Sequence, residues 1–298
     1  MNDIKCAVCG DKQKTEVLYD ANFSPSKITP RIFSARRLPD RLHYRFVRCK
    51  NCGLIFSNPI FSTTKIKKLY KDSKFTYSLE AKYLKKTYGK LLLQILPKTN
   101  RKKIKLLDIG CGNGFFLEEA LSLGINNVYG IEPSIDSIKK ALPEIGKNIK
   151  NDILKPEIYK SNTFDIICFF HTLDHIVDPN EFLKVVYGLL KKNGKIICVV
   201  HDTDGLSVRL FKEKSPIFDI EHIFLFNKRN IAKLLVKNKF RNIKNNGLVN
   251  TYPLIYWLSL LNINSKIKKV LISLMIKTRL AYLQVSVNAG NMYVISEK

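Results

Sequence analysis

Apolar positions follow two rhythms along the chain. Between residues 63 and 96 they recur at helical spacing: Ile66, Leu69 and Tyr70, then Tyr83, Leu84, Tyr88, Leu91, Leu92 and Ile95. From Ile104 onward, short apolar runs alternate with helical stretches. Ile104–Ile109, Val128–Ile131, Phe164–Phe170 and Lys195–Val200 read as strands, and the near-continuous third run reads as buried. The stretches from Phe115 to Leu121, Ser134 to Leu142, Pro179 to Leu190 and Lys228 to Asn238 read as helices. Ser134 and Asn227 stand where N-caps belong, and Pro179 suits a first helical turn. Further strands are expected over Phe240–Asn246 and Ala289–Ser296. Strand alternating with helix predicts an α/β fold with a Rossmann-like doubly wound sheet.

The most informative junction lies between the first strand and its helix. It reads Asp108-Ile-Gly110-Cys111-Gly112-Asn113-Gly114, and the next strand ends in Glu132-Pro133. Glycines let the backbone approach a ligand closely and take φ values that a Cβ would forbid. The turn delivers that ligand to a helix N-terminus at the carboxyl edge of the sheet, where Glu132 can accept hydrogen bonds from two ribose hydroxyls. A dinucleotide fingerprint would read G-x-G-x-x-G. Here the glycines fall as G-x-G-x-G, and Asp108 puts a negative charge where a pyrophosphate would sit. A zwitterionic or cationic ligand fits better.

This stretch resembles the first motif of class I S-adenosylmethionine (SAM)-dependent methyltransferases, D-I-G-C-G-x-G. The resemblance implies SAM as cofactor, cradled by Asp108, Gly110, Cys111, Gly112, Gly114, Glu132 and Pro133. By position it gives Asp152 the adenine amino group, and it makes His171, at the end of the fourth strand, a wall of the cofactor or substrate site. It also implies that the last strand is antiparallel.

Cys6-x-x-Cys9-Gly10 and Cys49-x-x-Cys52-Gly53 are two knuckle-like units separated by an insertion from Asp11 to Arg48. Four thiolates close a tetrahedral site, so the expected ion is one structural Zn2+ rather than a catalytic one. The second knuckle, its apolar triplet Leu54-Ile-Phe56 and Asn58-Pro59 resemble the zinc-binding N-terminal segment of certain sugar and cell-surface glycan methyltransferases, including sugar C-methyltransferases. The implied organisation is a zinc-binding segment over 1–60, a helical lid or linker over 61–100, a SAM-binding domain over 101–246, and amphipathic helices with a final strand over 247–298. In that family the lid contributes a tyrosine; Tyr70, Tyr77 and Tyr83 lie in this segment, and Tyr77, in a polar stretch, is the first choice.

The loop after the fifth strand carries Glu221-His222. Histidine is the side chain best suited to take a proton near neutral pH. The zinc-bearing sugar methyltransferases have a Glu-His pair here with the His as general base, and a neighbouring carboxylate could raise its basicity. His175, in His171-Thr-Leu-Asp-His175, is expected to tether its turn. The expected acceptor is a small molecule, above all a sugar nucleotide or a lipid-linked glycan precursor. Sugar C-methyltransferases carry a further α/β domain where this chain has about fifty residues, so O- or N-methylation stands beside C-methylation.

Charge adds a second reading. Fifty-one Lys+Arg against 25 Asp+Glu give a formal net charge of +26. Such a field attracts polyanions, so a zinc-ribbon RNA methyltransferase is the alternative. Against it, the fourth strand lacks the N/D-P-P-Y/F of amino-methylating base enzymes, and Cys168 and Cys198 sit inside strands. The tail from Ser265 to Gln284 alternates Lys266, Lys268, Lys269, Lys277 and Arg279 with apolar residues. It suits either an anionic membrane face or a helix packed on the sheet. No run reaches the roughly 18 apolar residues of a spanning helix. The N-terminus lacks an apolar segment, and seven cysteines suit a reducing compartment. The expected location is cytoplasmic, with contact to the inner membrane surface through the basic tail.

Overall fold

The computed structural model describes residues 1–30, 32–33, 41–74, 78–260 and 264–298. Its strands are β1 (Thr15–Tyr19), β2 (Phe46–Cys49), β3 (Ile55–Ser57), β4 (Lys105–Ile109), β5 (Asn127–Ile131), β6 (Ile149–Lys150), β7 (Phe164–Phe170), β8 (Leu190–His201), β9 (Phe224–Leu225), β10 (Arg241–Pro253) and β11 (Gln284–Glu297). Seven of them form one sheet in the order β10-β11-β8-β7-β4-β5-β6. The pairs from β8 to β6 are parallel, and β11 runs antiparallel to both β8 and β10. The chain reverses its direction of travel across the sheet between β4 and β7. That switch point opens a crevice at the strands' carboxyl ends, where ligands of doubly wound sheets bind.

The pattern of apolar runs explains the layering. Leu107, Ile167, Ile196 and Cys198 are buried toward one face, against Phe182, Leu183, Val186 and Leu234 of the helices over that face. Leu106, Ile166, Cys168, Ile197 and Val199 meet the other face, against Phe116, Leu117, Tyr88 and Leu92. Alternate residues of one strand thus face opposite layers, as the period of two requires. Helix Pro179–Leu189 is capped by Asp178, and helix Lys228–Lys237 begins with a capping box of Asn227 and Asn230. Ser134 caps a shorter helix than expected, Ile135–Ile138, because Pro143 opens a separate turn five residues later.

Two elements differ from the sequence reading. The final strands are far longer than their apolar cores: β10 and β11 pair from Arg241–Glu297 to Pro253–Gln284, so the hairpin projects past the sheet on ladder hydrogen bonds that hydropathy does not report. The basic helix Ser265–Lys277 packs against helix Leu254–Leu260 and the turn Leu280–Tyr282 rather than the sheet. Its apolar face is open: Val270 is 67% exposed and Leu274 56%. Among the described residues no helix is long and apolar enough to cross a membrane.

The N-terminal segment forms a second sheet, β1-β2-β3-β9. Its last strand comes from the loop after β8, directly behind Glu221 and His222. Ile55 pairs with Leu225 and Phe56 with Phe224. The cysteine-bearing segment is therefore built into the loop that overhangs the crevice.

Candidate active site

The glycine turn forms the first half of the site. Gly110 and Cys111 both donate backbone hydrogen bonds to the Ile131 carbonyl, which draws the turn against the end of β5. Gly110 has φ +75°, and a Cβ there would stand 2.6 Å from Thr172 Oγ1. Gly114, the N-cap of helix Phe115–Ser122, has φ +76°, and its Cβ would meet Ile145 at 2.4 Å. Both positions need glycine on two counts, backbone sign and space.

Glu132 ends β5 beside this turn. Its Oε2 accepts from the Gly112 amide at 2.9 Å and its Oε1 from the Ser134 amide at 2.8 Å. The carboxylate is thereby fixed in orientation, with lone pairs left over for a ligand. Burial still raises its pKa, partly offset by those two amides. Asp108 is buried at the end of β4, and its Oδ1 has no hydrogen-bond partner among the described residues. Burial first, and then the Glu132 charge, hold its carboxyl well above the usual range. Two buried acids with an orphaned oxygen fit a cation, and SAM carries both an ammonium and a sulfonium. Asp152 lines the same cavity, with its Oδ2 2.6 Å from Lys155 Nζ and its pKa lowered chiefly by that lysine. Cys111 and Pro133 also line it.

The cavity, about 1130 Å³, continues past His171 into a second half. Four histidines meet there in a chain of ring contacts. His171 lies 4.8 Å from His201, His201 4.5 Å from His222, and His222 5.0 Å from His175, centroid to centroid. His171 and His201 follow or end the adjacent strands β7 and β8, and His171 takes φ +48° at that edge. Asp174 stands behind them, 0% exposed. Its carboxylate lies 3.8 Å from Nε2 of His175 on one side and 3.8 Å from Nε2 of His201 on the other. Neither oxygen has a hydrogen-bond partner among the described residues. Burial pushes its carboxyl up to about 7, with the nearby amides of Asp174 and His201 pulling partly back.

Hydrogen bonds at Nδ1 orient three of the rings. His222 Nδ1 donates to the Ile217 carbonyl at 2.6 Å, which leaves the Nε2 lone pair as its reactive atom. His201 Nδ1 lies 3.0 Å from Asn291 Oδ1, and His175 Nδ1 lies 2.6 Å from the Tyr70 hydroxyl. The Tyr70–His175 bond tethers the His175 turn through one of the three lid tyrosines. Burial lowers the His222 pKa to about 4, and the Ile217 carbonyl offsets only part of this. Burial, rather than the adjacent Glu221, sets the direction of that shift. Glu221 is itself buried on the cavity wall, and after burial its charge is the next largest influence disfavouring ionisation of Tyr70. Tyr77 lies outside the described residues.

The loop bearing His222 is held by the N-terminal sheet. Ser57 Oγ donates to the His222 carbonyl at 2.8 Å, and the Ser57 amide donates to the Ile223 carbonyl at 2.8 Å. An aromatic wall closes the far side: Tyr252 lies 4.0 Å from Tyr256 and 5.6 Å from Trp257, whose indole donates to the Val285 carbonyl. These residues, with His201 and Asp174, escape motif reading because their role depends on which strand ends the sheet order brings together.

Away from the cavity, the four cysteines converge. Cys6 Sγ lies 3.4 Å from Cys52 Sγ, and Cys9 Sγ 3.4 Å from Cys49 Sγ. The four sulfurs lie within 4.8 Å of one another. A zinc ion with Zn–S bonds of about 2.3 Å sets tetrahedral sulfurs about 3.8 Å apart, so the arrangement fits the ion. Gly10 and Gly53 donate to the Cys6 and Cys49 carbonyls at 2.8 Å in matching turns.

The strand order, the glycine turn and the acid at the end of β5 define a Rossmann-like, class I SAM-dependent methyltransferase. The chain belongs to the methyltransferase domain family, whose profile matches residues 81–245, more than half of its length. Among curated proteins it is 40% identical over 97 residues to a ubiquinone biosynthesis O-methyltransferase of Pelagibacter ubique, covering 31% of this chain and 40% of that protein. It is 30% identical over 132 residues to the mitochondrial enzyme of the same name from Homo sapiens, covering 40% and 36%. The match thus spans less than half the length of these relatives. Among solved structures it resembles phosphoethanolamine N-methyltransferase 2 of Haemonchus contortus in complex with SAM, at a TM-score of 0.50 and 16% identity, over 82% of this chain and 61% of that one. That likeness is one of fold.

Proposed function

We propose that the protein transfers the methyl group of SAM to a hydroxyl oxygen of a small-molecule acceptor, with His222 as proton acceptor. One observation carries this reading: the SAM cradle and the buried histidine cluster share a single cavity, with His171 at their junction. SAM supplies the electrophilic methyl. The acceptor oxygen forms the new C–O bond as the C–S bond breaks, S-adenosylhomocysteine leaves, and the hydroxyl proton passes to His222 Nε2. A pKa near 4 suffices, because an oxygen gaining a methyl group becomes strongly acidic and its proton needs only a neutral, correctly placed lone pair. Much of the remaining acceleration is positioning. The names of the curated relatives support oxygen as the receiving atom.

The aromatic wall of Tyr252, Tyr256 and Trp257 favours an acceptor with an apolar or ring portion. The mouth of the cavity is bordered by exposed Leu206, Leu210 and Phe211, and Met275 reaches it from the basic helix. A lipid-linked acceptor presented at an anionic membrane surface fits this combination, with the sugar-nucleotide class as the competing source. The relatives' names point to ubiquinone biosynthesis and lend no support to a sugar. In this reading the four cysteines hold one structural zinc, whose task is to keep β3, and so the His222 loop, in place.

The test uses the purified full chain with methyl-labelled SAM and separate pools of lipid-extracted phenols, lipid-linked glycans, sugar nucleotides and total RNA. Label in an ether oxygen of a small molecule, lost in His222→Ala with SAM affinity retained, supports the proposal. Label in RNA, or undiminished turnover in His222→Ala, overturns it.

A further inference from the structure

One amide interrupts the aromatic and aliphatic wall beyond the histidines. Asn250 lies on β10, 3% exposed and lining the cavity, and its Oδ1 has no hydrogen-bond partner among the described residues. We propose that Asn250 is a recognition residue for the acceptor, hydrogen-bonding a second hydroxyl or N–H on the acceptor's ring while Tyr252, Tyr256 and Trp257 hold the ring itself. The proposal rests on the methyl-transfer reading for naming its ligand an acceptor, but its binding test needs no turnover.

Strand register places the residue. Leu248 and Tyr252 of β10 are buried in the same layer as Tyr88 and Phe170. Side chains alternate along a strand, so Asn250 stands between them on that face. Leu248 lies opposite Asn291 of β11, and Asn291 lies opposite His201 of β8, with its Oδ1 3.0 Å from His201 Nδ1. Directly opposed residues of neighbouring strands share a face. One face therefore carries His201, Asn291, Asn250 and Tyr252 in that order. Asn250 stands between the histidine cluster and the aromatic wall, about 7 Å from Tyr252 along the strand, a distance that a substituted ring spans.

The amide's lack of a partner carries the argument further. Buried polar groups in folded chains are paired, and an exception calls for a cause. The two other buried asparagines are engaged: Asn58 Oδ1 accepts from the Ile4 amide at 2.8 Å, and Asn230 closes the capping box with Asn227. A position on β10 that only filled the layer would be better served by a β-branched apolar residue, which suits a strand and leaves no polar atom unpaired. A carboxamide offers both an acceptor and a donor, and a hydroxyl answers both, whereas an ether oxygen can only accept. Ligand pockets fix orientation through a few polar groups set in an apolar lining. A site built to hydrogen-bond a hydroxyl rejects the analogue that lacks its hydrogen. The acceptor class this selects is a ring with a free hydroxyl or N–H besides the oxygen that is methylated.

The experiment measures binding. The full chain, saturated with S-adenosylhomocysteine, is titrated by calorimetry with three probe pairs: catechol and 2-methoxyphenol, resorcinol and 3-methoxyphenol, hydroquinone and 4-methoxyphenol. At least one dihydroxy ring should bind about tenfold tighter than its methoxy counterpart. Asn250→Val should bring that preference to within about twofold. Asn250→Asp, which keeps the shape and an oxygen acceptor, should retain it, and S-adenosylhomocysteine affinity should be unchanged in both variants. Valine also removes an unpaired buried amide from a strand, so the midpoint of urea unfolding should hold or rise in Asn250→Val. A wild-type chain that distinguishes none of the pairs, a preference that survives in Asn250→Val, or a lowered urea midpoint in that variant overturns the proposal. Failure to find a methylated product would count against the function and leave this binding preference standing.

Discussion

Glu132→Gln separates the two tasks that the buried carboxylate performs. In the free protein its two oxygens satisfy the amides of Gly112 and Ser134 at 2.9 and 2.8 Å. A carboxamide of the same shape offers one oxygen, and its NH2 group must face the other amide. One buried N–H therefore loses its acceptor, at a cost of about 1–3 kcal/mol. That should lower the midpoint of urea unfolding while leaving the slope unchanged. The second task is cofactor binding. Losing a charged acceptor for the ribose hydroxyls removes hydrogen bonds worth about 1.5–3 kcal/mol, or roughly 10- to 150-fold in Kd. Titration calorimetry with SAM on the folded variant reads the second effect and urea denaturation the first. The reasoning fails if the variant is destabilised as expected yet binds SAM within about threefold of wild type. Glu132 would then be a strut of the glycine turn and no contact of the cofactor.

Three further outcomes follow from the same geometry. Asp108 is held above its usual pKa in the folded chain, so the free protein keeps a proton that the unfolded chain has released; its stability should fall as pH rises through the folded pKa, while SAM binding tightens over the same range and releases a proton. Calorimetric enthalpies that do not vary with buffer ionisation, together with an affinity that does not change with pH, would contradict this. Cys49→Ser with Cys52→Ser should abolish zinc binding and, by loosening the β3 support of His222, cut turnover about 10- to 100-fold with SAM affinity intact; metal analysis and steady-state kinetics check both, and full turnover without zinc would refute the support role. Val270→Glu with Leu274→Glu should release the protein from sedimenting vesicles that contain anionic lipid, with turnover on a detached acceptor unchanged; wild-type protein that stays in the supernatant would refute membrane contact.

Local chemistry made much of the fold legible in the sequence. Short, mostly apolar runs marked β4, β5 and β7, and Asn227 marked its helix start through a capping box that closes within three residues. The glycine turn was legible because its demands, a positive φ at Gly110 and no room for a Cβ, are met by one residue type. The histidine cluster was not. His171, Asp174, His201 and His222 span more than fifty positions, and they meet only because β7 and β8 are neighbours and the N-terminal sheet pins the loop behind His222 through β3 and β9. Nor does any local pattern signal that Phe224 and Leu225 extend the N-terminal sheet, since two-residue strands carry no period. The direction of the His222 pKa follows from burial, a property of the assembled cavity that adjacency to Glu221 in sequence does not report.

We propose that one cavity aligns SAM with the histidine cluster. A crystal structure of the full chain with S-adenosylhomocysteine tests it most directly. The ribose hydroxyls should lie on Glu132, the amino group toward Asp108, the adenine near Asp152, and the sulfur toward His171 with open space leading to His222 Nε2. A nucleoside bound elsewhere, or a sulfur facing away from the histidines, would contradict it.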